Sequence, residues 1–181
     1  MVAMRAVVVY ESMYGNTHQI ADAIGTGLET AFDVTVVPVS HADPALLDGA
    51  DLVVVGGPTH VHGMSRPRTH QAAVEAADKP ASPLHTEPDA LSPGLRDWFG
   101  SLDRYQVKAA AFDTRMHGPA ALTGRASKGV AHLLRAHGFD VVADEESFLV
   151  TKQDQLQPEE TTRAREWGAR LAGKIAPGAR S

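Results

Sequence analysis

The sequence predicts a doubly wound α/β domain: a five-stranded parallel sheet with helices on both faces. Three observations predict it. Strand-like apolar runs alternate with segments of helical period five times along the 181 residues. Helical crossovers separate successive strands, and this is what parallel pairing requires. The first, third and fourth strands each end abruptly in a polar loop containing glycine. Ligands of such sheets bind beyond the carboxyl ends of the strands.

Composition bounds the answer. The length suits one domain, read as residues 1–181, with a good-sized core. Apolar residues make up 43% and charged residues 22%, ordinary values for a globular protein. The net charge is −5. No basic run points to nucleic acid. Cysteine is absent, which excludes disulfides, thiolate metal sites and cysteine nucleophiles. The short apolar run after Arg5 reads as the first strand, so neither a signal peptide nor a membrane span is expected, and a cytoplasmic protein fits.

Val7 to Tyr10 form a short, β-branched, uncharged run, a buried first strand. From Thr17 the period becomes helical, with Ile20, Ile24 and Leu28 on one face, and Gly25 and Gly27 loosening the last turns. Asp33 to Val39 is a second strand; Pro38 places it at an edge, because proline cannot donate to a ladder. Pro44 to Leu47 reads as a short helix capped by Asp43. Asp51 to Val55 is the third strand, ending in Gly56-Gly57-Pro58-Thr59-His60. Arg66 to Ala77 carries weak helical marks, and the proline-rich Asp78 to Leu91 reads as loop. Ser92 and Pro93 then open a helix whose Leu95, Trp98, Phe99 and Leu102 make a core-facing stripe. Val107 to Phe112 is the fourth strand, followed by Asp113 to Pro119. The next helix carries Leu122, Ala126, Val130, Leu133 and Leu134 and stops at Gly138. A fifth strand comes in two pieces, Val141-Val142 and Phe148 to Val150. The last helix begins near Glu159-Glu160, buries Trp167, Leu171 and Ile175, and fades at Pro177-Gly178. The spacing of Trp98 and Trp167 makes both core residues.

The first strand–helix junction, Ser12-Met13-Tyr14-Gly15-Asn16-Thr17, suits phosphate. Free N–H groups and the positive end of the helix dipole converge there. Ser12, Asn16 and Thr17 add side-chain donors, and Gly15 lets the backbone approach a ligand. The same residues also fit an ordinary turn whose hydroxyls cap the helix. No Gly-x-Gly-x-x-Gly follows the first strand, which argues against a dinucleotide fingerprint. No Ser-His-Asp set is legible either.

Taken together, the three loops resemble those of the flavodoxin-like proteins. Ser12 to Thr17 resembles the loop that cradles the phosphate of FMN. Pro58-Thr59-His60-Val61-His62-Gly63 is similar to the loop along the isoalloxazine ring, and Asp113-Thr114-Arg115-Met116-His117-Gly118 to the one that closes over its other side. The resemblance covers nearly the whole chain. It implies the strand order 2-1-3-4-5, which is the established flavodoxin arrangement. It also implies FMN as cofactor, held by the residues just named, and electron transfer as function.

Two departures stand out. Tyr14 occupies a position where flavodoxins usually carry a hydroxyl residue, and Ser-Met-Tyr-Gly is similar instead to the flavodoxin-like NAD(P)H:quinone reductases. The tyrosine has a hydroxyl to offer or a ring to pack against the ribityl chain. The second departure is an irregular insertion, at about residues 64–91, before the Trp-Phe helix. It reads as a solvated excursion, or as a lid, substrate wall or dimer contact.

Neither ring loop holds an aromatic side chain. Arg115 or a protonated histidine near the ring would stabilise reduced, anionic flavin and favour two-electron chemistry, provided it faces the ring. His60, His62 and His117 raise the question of a metal, but the only carboxylate in these loops is Asp113, and none is expected. Two functions therefore compete. One is electron transfer with a redox partner protein; the other is an oxidoreductase taking hydride from NAD(P)H to a quinone or similar small acceptor. A flavin-free interaction module is the weakest. No catalytic residue is identified, so whether the chain is an enzyme stays open. A homo-oligomer is possible.

Overall fold

A computed structural model describes residues 3–60, 63–64, 94–119 and 124–176. Its strands are β1 (Arg5–Tyr10), β2 (Asp33–Pro38), β3 (Leu52–His60), β4 (Gly63–Met64), β5 (Lys108–Met116), β6 (Asp140–Val141) and β7 (Glu146–Val150). The helices are α1 (Asn16–Leu28), α2 (Leu95–Gly100), α3 (Ala126–Ala136) and α4 (Glu160–Ile175). The sheet runs β2-β1-β3-β5-β6, with β4 paired to β3 and β7 paired to β5. The β2–β1, β1–β3, β3–β5, β5–β6 and β5–β7 pairs are all parallel. β6 and β7 lie along successive parts of β5 and together fill the fifth strand position. This is the expected fold class and order, with the two-residue strand β4 added antiparallel to β3.

Period-two alternation assigns each strand residue to a face. Val7, Val9, Val53, Val55, Ala109 and Ala111 join one buried cluster with Leu95, Trp98 and Phe99 of α2 and Val130 and Leu134 of α3. Ala6, Val8, Leu52, Val54, Ala110 and Phe112 join the other, with Ile20, Ile24 and Leu28 of α1 and Trp167 and Leu171 of α4. Both tryptophans are core. The Trp98 indole N–H donates to Ala42 O at 2.8 Å, and the Trp167 ring meets Phe112 and Phe148 edge-on.

On the second face α1 and α4 touch main chain to main chain. A Cβ on Gly27 would lie 2.0 Å from Arg165 O, and one on Gly168 would lie 2.3 Å from Ile24 O. Gly27 is therefore a packing residue, not a loosening one. The start of α4 is tied to the sheet as well. Glu160 accepts from Leu149 N at 2.6 Å. Arg163 bridges Glu160 and Glu146 with its guanidinium over the Phe148 ring.

Several boundaries differ from expectation. β3 continues to His60 and β5 to Met116, so much of the two ring loops is strand. The added partners explain this: β5 pairs with β3 as far as Pro58–Thr114, β4 pairs with Thr59 and His60, and β7 pairs with Phe112 to Met116. α2 starts at Leu95, after an extended Gly94, and the expected first residue Pro93 lies outside the described residues. Leu102 is buried beyond its end. α3 starts at Ala126. The expected helix at Arg66 to Ala77, the loop at Asp78 to Leu91, the Ser92 cap, Leu122 and Pro177-Gly178 lie outside the described residues. Asp43 does cap the short helix at Pro44–Leu47, which is 3-10, through a 2.9 Å bond from Ala45 N.

Candidate functional site

The carboxyl ends of β1, β3 and β5 and the loop after β7 enclose a cavity of about 160 Å³. Its lining comprises Ser12, Met13, Tyr14, Asn16, Thr17, Pro58, Thr59, Thr114, Arg115, Met116, Val150 and Asp154. That volume is below the usual range for a whole cofactor site and fits one end of an elongated ligand.

The junction between β1 and α1 forms the floor. Gly15 is the N-cap of α1 at φ 91°, a left-handed conformation that side chains resist. Its N–H donates to Ser12 Oγ at 3.1 Å, which rolls the loop into a tight turn. Gly15 has no side chain with which to cap α1, no acceptor among the described residues takes the Asn16 or Thr17 N–H, and the first turn holds no acid. The N–H groups of Asn16 and Thr17 have no acceptor within the helix and point past its end. The Thr17 hydroxyl meets that of Thr114 at 2.8 Å and locks the junction to β5. Asn16 Nδ2 donates to Asp154 O at 2.5 Å and locks it to the loop after β7.

The helix ends beside it are treated differently. At α3, Thr59 Oγ1 accepts from Ala126 N at 3.1 Å and Asp113 Oδ2 accepts from Ser127 N at 2.8 Å. At α2, Glu11 accepts from Leu95 N at 3.3 Å. Asp113 is 0% exposed. Burial pushes its carboxyl up, and the opposing pull of Ser127, Ser147 and Arg125 does not compensate. Thr59 thus has a structural partner while lining the cavity, and Asp113 is not among the lining residues.

Of the residues singled out from sequence, Ser12, Met13, Tyr14, Asn16, Thr17, Pro58, Thr59, Thr114, Arg115 and Met116 meet around the cavity. Gly15 supplies the turn beneath it. Arg115 is half-buried, and its Nη1 donates to Gly118 O at 2.8 Å. Met116 is 43% exposed, the one large exposed hydrophobic side chain among the described residues. His117 N donates to Val150 O, and its side chain is exposed. His60 ends β3 and Gly63 opens β4; Val61 and His62 lie outside the described residues. Val150 and Asp154 were missed. One signal did exist for them: a loop at the carboxyl end of the fifth strand shares the rim with the other three. Burial raises the Asp154 carboxyl, and burial followed by the charge of Asp154 raises the Tyr14 hydroxyl.

The order β2-β1-β3-β5-β6 with a left-handed glycine turn between β1 and α1 defines a doubly wound α/β fold of flavodoxin type. The flavodoxin family model matches residues 8–167, and the chain belongs to that family. Solved structures share the fold. An archaeal flavodoxin is 22% identical, over 95% of this chain and 99% of its own, with a TM-score of 0.64. Flavodoxin 1 of Bacillus cereus is 21% identical, over 92% and 96%, with a TM-score of 0.61. A WrbA-like flavodoxin of Agrobacterium tumefaciens is 21% identical, over 97% and 99%, with a TM-score of 0.56. No curated protein matches the chain by sequence. As a member of the family it is an FMN-binding electron-transfer protein. The donor set fits the phosphate end of that cofactor: three threonine or serine hydroxyls, an uncapped helix N-terminus and a left-handed glycine. No helix among the described residues is long and apolar enough to cross a membrane.

Proposed function

We propose that FMN enters this cavity phosphate first, and that the chain passes electrons between protein partners. The uncapped start of α1 carries this reading. Ser12, Asn16, Thr17 and Thr114 surround an end where, among the described residues, nothing accepts from the Asn16 and Thr17 N–H groups and a phosphate would satisfy them. Pro58, Thr59, Arg115 and Met116 complete the lining and would flank the ring. Arg115, its guanidinium held by Gly118 O, would place a positive charge in this cavity that favours negative charge gained on reduction. Bound FMN supplies the redox chemistry; the protein binds, orients and sets the local field. The exposed Met116 gives the rim an apolar contact for a partner.

Arg115 also supports the second reading, hydride transfer from NAD(P)H to a small acceptor. One experiment separates the two. The FMN-loaded protein is mixed with NADPH and a quinone, and separately reduced photochemically and mixed with oxidised cytochrome c. Electron transfer to the cytochrome without NADPH consumption supports the carrier. Rapid NADPH consumption overturns it in favour of the enzyme. A protein that neither quenches FMN fluorescence nor gains flavin absorbance on titration overturns both.

A further inference from the structure

Asp154 is an acid in a site whose other parts attract an anion. It lines the cavity with Ser12, Tyr14, Asn16 and Thr17. Its main-chain carbonyl holds the Asn16 amide, and its backbone sits at φ 56°, in the left-handed region. It reaches α1 because α4, which follows its loop, packs directly on α1. Among the described lining residues, Asp154 carries the negative charge and Arg115 the positive one.

We propose that Asp154 sets the affinity of the phosphate cradle: its carbonyl shapes the cradle by tethering Asn16, while its carboxylate repels the phosphate and makes FMN retention weaker and pH-dependent. The inference rests on FMN occupying this cavity. Like charges sharing a partly desolvated site disfavour each other, and the effect is largest when both are fully ionised. Among the described residues, the groups facing Asp154 do not cancel it. Tyr14, on the junction, is neutral over the working range, its hydroxyl being raised. Arg115, at the end of β5, keeps its charge but donates to Gly118 O, and burial is the cause of the raise at Asp154. His117 is exposed beyond it, and Lys152 lies exposed on the same loop. The half-buried Asp154 carboxyl holds its proton to a higher pH than an ordinary aspartate.

The test is a fluorescence titration of the full chain with FMN and, separately, with riboflavin, which lacks the phosphate, between about pH 5 and 8. Wild type is compared with Asp154→Asn and Asp154→Gly. Both substitutions tolerate a left-handed backbone and keep the carbonyl while removing the charge. The proposal expects both variants to bind FMN roughly five- to twentyfold more tightly than wild type at pH 8. The ratio should shrink toward one as the pH falls, and riboflavin affinity should stay level. The phosphate's own titration near pH 6 contributes to that shrinkage, because a monoanion is repelled less than a dianion. Unchanged or weaker FMN binding in both variants overturns the proposal, as does an equal gain for riboflavin. A wild-type chain that binds neither flavin overturns the FMN reading, and this inference falls with it.

Discussion

The amino ends of α1 and α3 lie on the same rim of the same sheet and have opposite fates. At α3 the first N–H groups are taken by Thr59 and Asp113, brought in from the ends of β3 and β5. At α1 no described side chain takes the Asn16 or Thr17 N–H, the cap is a left-handed glycine, and the end opens into the cavity. Both helices follow a strand that ends in polar residues, and local sequence does not separate them. The separation comes from what neighbouring strands deliver. A buried carboxyl group closes α3, whereas α1 faces the cavity where the proposed phosphate would sit. A binding site is here a helix end that the fold declines to satisfy.

The largest effect is expected at the contact that holds α1 in place. Gly168→Val puts side-chain atoms onto the Ile24 carbonyl and forces α4 away from α1. A loss of several kcal/mol, up to loss of cooperative folding, is expected in a thermal melt, with flavin binding lost alongside. A variant that melts like wild type would show that α1 does not depend on this contact.

Next comes the closed end. Asp113→Ala leaves the Ser127 N–H buried without its acceptor and should cost about 1–3 kcal/mol in chemical denaturation. Asp113→Asn keeps an acceptor and drops the charge. Because burial raises the folded-state value of Asp113, its contribution to stability is full below the ordinary carboxylate range and is lost as the pH rises through the raised value. The Asn variant should therefore gain on wild type from acid toward neutral pH, and a constant difference would contradict this.

Glu160, at the start of α4, should show the reverse slope. Burial pushes its carboxyl up, but the Arg163 and Leu149 N hydrogen bonds and the Arg163 charge outweigh that and leave it lowered. Its stabilisation is present above the ordinary glutamate value and is lost as the pH falls through the lowered one. Glu160→Gln should cost about 1 kcal/mol near neutrality, and the deficit should close in acid.

The smallest effect on stability belongs to the open end. Ser12→Ala removes one acceptor at a partly solvated turn and should cost under about 1 kcal/mol, yet weaken FMN roughly tenfold. Equal losses in stability and affinity would erase the contrast between the two helix ends.

Much of the candidate site's lining was legible because strand-to-helix junctions announce themselves. Ser12 to Thr17 showed an apolar run, a glycine and a change of period within a few residues. Pro58, Thr59 and Thr114 to Met116 were found by the same break. Asp113 was read as a ring-loop residue and turned out to be a helix cap, because its partner Ser127 is fourteen positions away and no local pattern links them. Asp154 was missed because its loop carries no periodicity and its partner Asn16 lies 138 positions back. The ends of β3 and β5 were read as loops because glycine, proline and polar residues argue against strand. The pairing partners β4 and β7 overrode those preferences.

By itself the sequence determined the layering. The alternation of two-residue and 3.6-residue periods sends Val7 and Val8 to opposite faces and turns Ile20, Ile24 and Leu28 toward one of them, since burying both strand faces and one helix stripe has a single economical solution. It also marked where an anion would sit. Only the tertiary structure decided which helix ends were closed, which carboxylate was sealed in the core and which faced the cavity. Those outcomes depend on contacts between residues far apart in the chain, and a hydrogen bond or a repulsion acts over a few ångströms of space regardless of the distance in sequence.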